Sequence, residues 1–433
     1  MKKNLKDISF LIKLSWIALS LFSISLQACS DDGKDEQIVN PSPKEQWGKT
    51  LVGGDGTIFA YPDLYVNYWE YTWSTVDNSD VALRIKGAFP KARFFSFSLY
   101  DDEKGDAIGG LADNEITPDD GSVNPFSVTS TDENYFTVYV VPEGMPESQI
   151  GKIPSKNILK VKAGVQRATI VIRQYLGVDE YGGVELPAIE AIDINTLEDK
   201  QAPIRMNSNV TNFPVNYVPL WSDENLLVPF FLASPGAYYP NMSTDYLYGR
   251  TILKDDQVLV INFVPVPIPK TVEEYNGAKA RYWSICLGSA RDTHSYYSIY
   301  DEQANVPDDA YCSFIVCMKQ NPKLDEIRKK VETENADGYH WQLIVWDREK
   351  LSVEGNPIGD CIVIMYRNIL PNKSWEYSIS NMIETPYGDP VNTSKENPDK
   401  MIAHKALGKY GPYGYKFNTD DFLEGGLIYT VAR

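Results

Sequence analysis

The sequence holds three histidines in 433 residues, His294, His340 and His404, and none stands at ligand spacing from another His or a Cys. That excludes the usual zinc patterns, and histidine chemistry would have to come from the second half. There is no Gly-x-Ser-x-Gly elbow, no His-Glu-x-x-His, no Cys-x-x-Cys and no phosphate-cradling glycine loop. Gly53-Gly54-Asp55-Gly56 lacks the strand-to-helix setting of a nucleotide fingerprint and reads as a turn. Basic residues are outnumbered, with 41 Lys and Arg against 59 Asp and Glu and a net charge of −18. An acidic body repels phosphate backbones, so no nucleic-acid partner is expected. No cofactor and no metal site is expected either. The acidic turns Asp119-Asp120 and Asp308-Asp309 could offer oxygens to Ca²⁺, but such turns are common in any β protein.

No apolar run is long enough for a membrane span. The chain instead opens with Lys2, Lys3 and Lys6 and a short apolar core from Leu14 to Leu26, the anatomy of a secretory signal. That core closes on Leu26-Gln27-Ala28-Cys29, which resembles the bacterial lipobox. The resemblance implies cleavage before Cys29, lipid on its sulfur and an outer-membrane location. The acidic run Ser30 to Glu36 resembles the surface-export signal of Bacteroidetes lipoproteins, although a solvated tether is acidic too. Residues 1–28 are therefore expected to be signal and 29–47 a flexible tether. A first domain is expected over 48–200, a polar Asn- and Pro-rich linker over 201–222, and a second domain over 223–433.

The body is rich in what β structure uses: 28 Tyr, 27 Pro and 29 Gly. Its central feature occurs twice. Residues 91–99 read KARFFSFSL and residues 279–287 read KARYWSICL. In the first copy Phe95, Phe97 and Leu99 share one face of a strand, and Ser96 and Ser98 the other. In the second, Arg281, Trp283, Ile285 and Leu287 share a face. Asp113-Asn114 matches Glu302-Gln303, and Pro118-Asp119-Asp120 matches Pro307-Asp308-Asp309. Cys361 to Asn368 echoes Thr169 to Gln174. The offset of 188 to 194 residues indicates one duplication rather than a many-unit solenoid. The fold expected is mainly β: two related, jelly-roll-like β-sandwich domains, with a few short helices in the second. Those helices are placed at 270–278, after Asn321-Pro322, and from Asn372 to Ile383 with Trp375, Ile379, Met382 and Ile383 inward.

The segments RIKGAFPKARFFSFSLYD, ADNEITPDDGSVNPF, ARYWSICLGS through YDEQANVPDDA, and YRNILP together resemble a family of uncharacterised bacterial two-domain β proteins. The likeness covers roughly residues 55–420. It implies the two-domain fold and no particular chemistry, because the family has no settled activity.

Candidate site residues come from the repeat. Arg93, Arg173, Arg281 and Arg367 recur in pairs. They could hold an anionic or carbonyl-bearing ligand bidentately, or pair with carboxylates and loop carbonyls at sheet ends. Symmetric recurrence favours the second use, because buried guanidinium groups need partners. Trp283 and Tyr300, with Tyr282, Tyr296 and Tyr297, cluster in sequence with Asp301 and Glu302, a composition suited to sugar. As neighbours on a strand, Asp301 and Glu302 would face opposite ways and not form a glycosidase pair. Trp283 falls on the apolar face and so in the core. Cys286, Cys312, Cys317 and Cys361 sit in strand-like runs. They are expected to pack as buried free thiols, with a Cys286–Cys361 bridge open if those strands adjoin. The reading preferred is an envelope protein, membrane-held through Cys29, that binds an unknown ligand or envelope partner, with binding favoured over catalysis and the question of an enzyme left open. A carboxylate-based carbohydrate hydrolase and a structural platform are the alternatives.

Overall fold

In the first half the strands are β1 (Gly48–Lys49), β2 (Val66–Ser74), β3 (Val81–Ala88), β4 (Phe94–Asp101), β5 (Asp106–Ala112), β6 (Tyr135–Pro142), β7 (Ile158–Val161), β8 (Arg167–Tyr175), β9 (Ala188–Asp193) and β10 (Asp199–Lys200). In the second they are β11 (Leu227–Pro229), β12 (Phe231–Leu232), β13 (Thr244–Ile252), β14 (Gln257–Phe263), β15 (Tyr282–Ser289), β16 (Ser295–Tyr300), β17 (Cys312–Met318), β18 (His340–Trp346), β19 (Cys361–Ile369) and β20 (Tyr413–Asn418). Among the described residues six short helices accompany them: α1 (Pro43–Gln46), α2 (Glu147–Ile150), α3 (Asp301–Ala304), α4 (Leu324–Ala336), α5 (Ala403–Ala406) and α6 (Thr419–Glu424). This computed structural model describes residues 41–49, 61–208, 226–232, 239–352, 355–383 and 400–425. The expected signal, Cys29 and most of the expected linker lie outside the described residues.

The strands form four five-stranded sheets, ordered β1-β2-β8-β4-β5, β10-β9-β3-β6-β7, β11-β20-β14-β17-β18 and β12-β13-β19-β15-β16. The first two sheets make one sandwich and the last two the other. Alternation along the strands builds each core. Trp69, Tyr71, Phe95, Phe97, Leu99 and Ile170 of one sheet meet Leu83, Ile85, Phe136 and Val138 of its partner. In the second half Trp283, Ile285, Leu287 and Ile364 meet Leu259, Ile261, Phe314 and Trp346.

The duplication extends to the pairing of the central strands. The two centres run β2-β8-β4-β5 and β13-β19-β15-β16. β6 and β7 pair parallel, as do β17 and β18. One register shift falls at Leu99/Tyr100 and its counterpart at Leu287/Gly288. The repeated strand and its expected faces are therefore as the sequence implies. One correspondence moves by a residue. Asp113 accepts the Phe95 N–H and Asp301 accepts the Trp283 N–H, so Asp113 matches Asp301 rather than Glu302.

Several expectations are corrected. The tether ends before residue 47, because Gln46 exchanges bonds with the backbone of Ile189 and Trp47 Nε1 donates to Pro187 at 2.7 Å. The helix expected from Asn372 to Ile383 is only a 3₁₀ turn, Ile379–Asn381. Trp375 and Tyr377 instead pack against Tyr410. The turns at Val272–Glu274 and the helix α4 do form, and α4 buries Ile327 and Val331 against the outer face of β14 and β17. The four body cysteines are buried and free. β15 and β19 adjoin, but Cys286 stands opposite Met365 in the middle of β19, while Cys361 is the first residue of that strand. Burial pushes the Cys286 thiol up to about 11.

Phe136 is fully buried and touches Phe89, Phe95 and Phe97. Phe136→Ala is expected to cost about 3–5 kcal/mol in urea unfolding; a loss below about 1 kcal/mol would contradict this core.

Candidate functional site

The two sandwiches meet where the strand ends of β4, β8, β15 and β19 come together, through Phe94, Tyr175, Tyr282 and Ile369. The four repeated arginines all lie along this seam, and each reaches into the opposite half. Arg93 of the first half pairs with Asp301 at 3.5 Å and with Glu302. Arg281 of the second pairs with both oxygens of Asp113 at 3.3 Å. Arg173 Nη2 donates to the Tyr239 carbonyl, and Arg367 Nη2 to the Tyr61 carbonyl, both at 2.7 Å. Tyr61 and Tyr239 hold left-handed backbone, φ 49° and 51°, unfavourable for a bulky residue. The arginine on each carbonyl helps hold that turn in place.

Asp301 and Glu302 open α3 and so lie on one turn rather than a strand. Both therefore reach Arg93, against the expectation that they face apart. Asp113 is fully buried and Asp301 nearly so. Burial pushes each carboxyl up to about 6, with Arg281 and Arg93 respectively opposing the rise. The Tyr275 ring caps Arg281, with the guanidinium carbon 3.6 Å from the ring centre. Two clefts flank Tyr275. One, about 510 Å³, is lined by Asn114, Ser127, Asn276, Arg281 and Asn372. The other, about 560 Å³, is lined by Lys91, Arg93, Asp132, Glu133 and Glu302.

Trp283 is in the second core, against Phe263 and Tyr366, and does not join Tyr300. Tyr300 sits on the seam, edge-on to Tyr65 at 4.7 Å. Tyr296 and Tyr297 pack on Trp346, away from it. The sugar-suited cluster thus does not assemble as one surface. The two acidic turns are also separated in role, since Asp119 accepts from Thr137 and Asp309 pairs with Lys409. Among the described residues no group of three His, Cys, Asp or Glu is placed to hold a metal ion.

Sequence reasoning missed Asp63 altogether. Its side chain is fully buried and accepts from Tyr282 at 2.7 Å, Ser284 at 2.5 Å and Ser298 at 3.0 Å, with Arg367 Nη1 at 3.2 Å. A signal existed: Tyr61-Pro62-Asp63 recurs as Tyr239-Pro240-Asn241. A third cleft, about 700 Å³, lies beside that second copy. Asp101, Lys104, Asp106, Lys162, Asn241 and Thr244 are among its walls.

Because burial raises Asp113 and Asp301, their protonation favours the fold, fully below the ordinary carboxyl value near 4, and that contribution is lost as pH rises through about 6. Lowering the pH from 7 to 5 should shift the melting-temperature difference between the native chain and an Asp113→Asn/Asp301→Asn variant in favour of the native chain. Calorimetry at both pH values reads this, and an unchanged difference would contradict it.

No family model and no curated protein matches the chain. Solved structures similar to it include two from bacteria. One is an uncharacterised protein from Burkholderia cenocepacia, with TM-score 0.45 and 11% identity, covering 84% of this chain and 79% of that one. The other is a protein from Vibrio parahaemolyticus, with TM-score 0.35 and 7% identity, covering 71% of this chain and 85% of that one.

Proposed function

We propose that the protein is a lipid-anchored envelope protein of the Bacteroidetes surface type that binds a ligand at the cell surface and does no covalent chemistry. The anchor is Cys29, for which the support is the closing motif Leu26-Gln27-Ala28-Cys29 and the acidic run after it. The observation that carries the binding reading is the 700 Å³ cleft where the β4–β5 hairpin of one sandwich meets the segment entering β13 of the other. That size suits a small-molecule ligand. A hydrolase has less support. Asp113 and Asp301, the raised carboxyls of the seam, are each engaged by an arginine and a backbone N–H of the repeat. The same engagement makes Arg93 and Arg281 part of the frame rather than free clamps for ligand.

Two measurements test this reading together. In detergent phase partition the native chain should enter the detergent phase and Cys29→Ser the aqueous phase, with loss of radiolabelled palmitate. In a melt screen against oligosaccharides and small organic acids, a ligand at one hundred times its dissociation constant should add about 2.7 kcal/mol. Equal partition of both forms would remove the anchor, and a melt unmoved by every ligand would favour an interaction platform.

A further inference from the structure

The two halves differ at one buried point. In the second half, β15 and β19 place Ser284 opposite Arg367, and the carboxylate of Asp63 from the first half closes on both. In the first half, β4 and β8 place Ser96 opposite Arg173 in the same register. The residue arriving from the other half is Asn241, two residues beyond the carbonyl that Arg173 holds, as Asp63 is two beyond the carbonyl held by Arg367. Asp63 Oδ1 accepts the N–H two residues on, from Tyr65, and Asn241 Oδ1 accepts that of Ser243. That bond fixes the amide, so Nδ2, a donor, stands where Asp63 has its second oxygen, an acceptor.

The consequence is a set of donors without an acceptor. Arg173 Nη1, Asn241 Nδ2 and Ser96 Oγ are buried and have no hydrogen-bond partner. Arg173 is 3% exposed, and among the described residues no carboxylate pairs with it. Its guanidinium lies 5.6 Å from the ring centres of Tyr68 and Tyr100, and the Tyr100 hydroxyl is a neutral hydrogen-bonding neighbour that brings it no negative charge. Two further groups that hold Asp63 are missing from this copy. Phe94 stands in the place of Tyr282, and Gly110 in that of Ser298. Met242 lies over Gly110, its sulfur 3.3 Å from where a Cβ would be, and is 56% exposed. Asn241 and Thr244, 2% and 8% exposed, line the 700 Å³ cleft, and Thr244 Oγ1 is a further polar atom without a partner. A buried unpartnered donor is costly and a buried unpaired cation more so.

We infer that Arg173, Asn241 and Ser96 form a subsite for the carboxylate of a small organic ligand, which enters by the Asn241–Thr244 cleft and supplies to these donors the acceptor that Asp63 supplies in the other half. The inference deepens the binding reading above and rests on it. Carboxylate is the class because the repeated frame holds a carboxylate in its other copy. The cleft wall also carries Lys104, Lys162, Asp106 and Asp245, so a ligand with a polar, mixed-charge body fits this cleft.

The test is a set of melts of the purified chain at constant ionic strength in acetate, succinate, chloride and a neutral oligosaccharide, with Asn241→Asp beside it. That substitution supplies the carboxylate internally. The expected result is a saturable rise with acetate or succinate for the native chain. Asn241→Asp should melt about 2–4 °C higher without ligand and show no response. The native chain's own response is read whether or not the variant folds. Saturation by chloride alone, with nothing added by the organic acids, would overturn the inference in favour of a halide site. A lower melt for folded Asn241→Asp, or no saturable response to either acid, would also overturn it. A response to the oligosaccharide alone would overturn the carboxylate subsite while leaving the binding reading standing.

Discussion

A buried guanidinium must find its partners inside the protein, and here each of the four repeated arginines finds them in the other half. Arg93 and Arg281 take the carboxylates that begin the segments after β16 and β5, while Arg173 and Arg367 take the carbonyls that precede β13 and β2. The exchange is reciprocal, so neither sandwich is complete alone. It also explains the polar outer faces of the two inner sheets. Ser96, Ser98, Thr169, Ser284 and Ser298 would meet water on an isolated sandwich, yet all are buried in the pair. Breaking one partner of such a pair leaves an uncompensated buried charge, a far larger loss than any surface ion pair brings.

Much of the fold was legible because side-chain period follows backbone geometry. The alternation in KARFFSFSL and KARYWSICL placed both central strands and their core faces, and the density of the match revealed the duplication. The arginines were legible as a recurring set and as residues in need of partners. That the partners lie in the opposite half was not, since sequence carries no record of which sheets face each other. Asp301 and Glu302 misled because a strand was extended one turn too far; a helical turn brings neighbours to one guanidinium where a strand would part them. The Asn372–Ile383 stretch has apolar spacing compatible with a helix. Its Ser and Asn compete for backbone bonds, and the pull of Tyr410 on Trp375 and Tyr377 wins. The Tyr-Pro-Asp and Tyr-Pro-Asn pair escaped notice because its spacing differs from that of the central strands and its last residue has changed.

That changed residue is where duplication turns into difference. One half keeps an internal carboxylate on its buried arginine, and the other carries an amide that cannot accept in the same place. A frame built twice thus offers a closed copy and an open one, with the open copy beside a cleft. Anchoring through Cys29 would hold that cleft at the cell surface, and a rigid joint between the halves would keep its walls in register.

The joint itself is tested most directly by calorimetry of the whole chain. If reciprocal arginines make the two sandwiches one cooperative body, heating gives a single transition whose van 't Hoff and calorimetric enthalpies agree. Two resolved transitions, each unmoved by replacing Arg281 and Arg367 with Met, would mean that the halves fold independently and that the seam does not unite them.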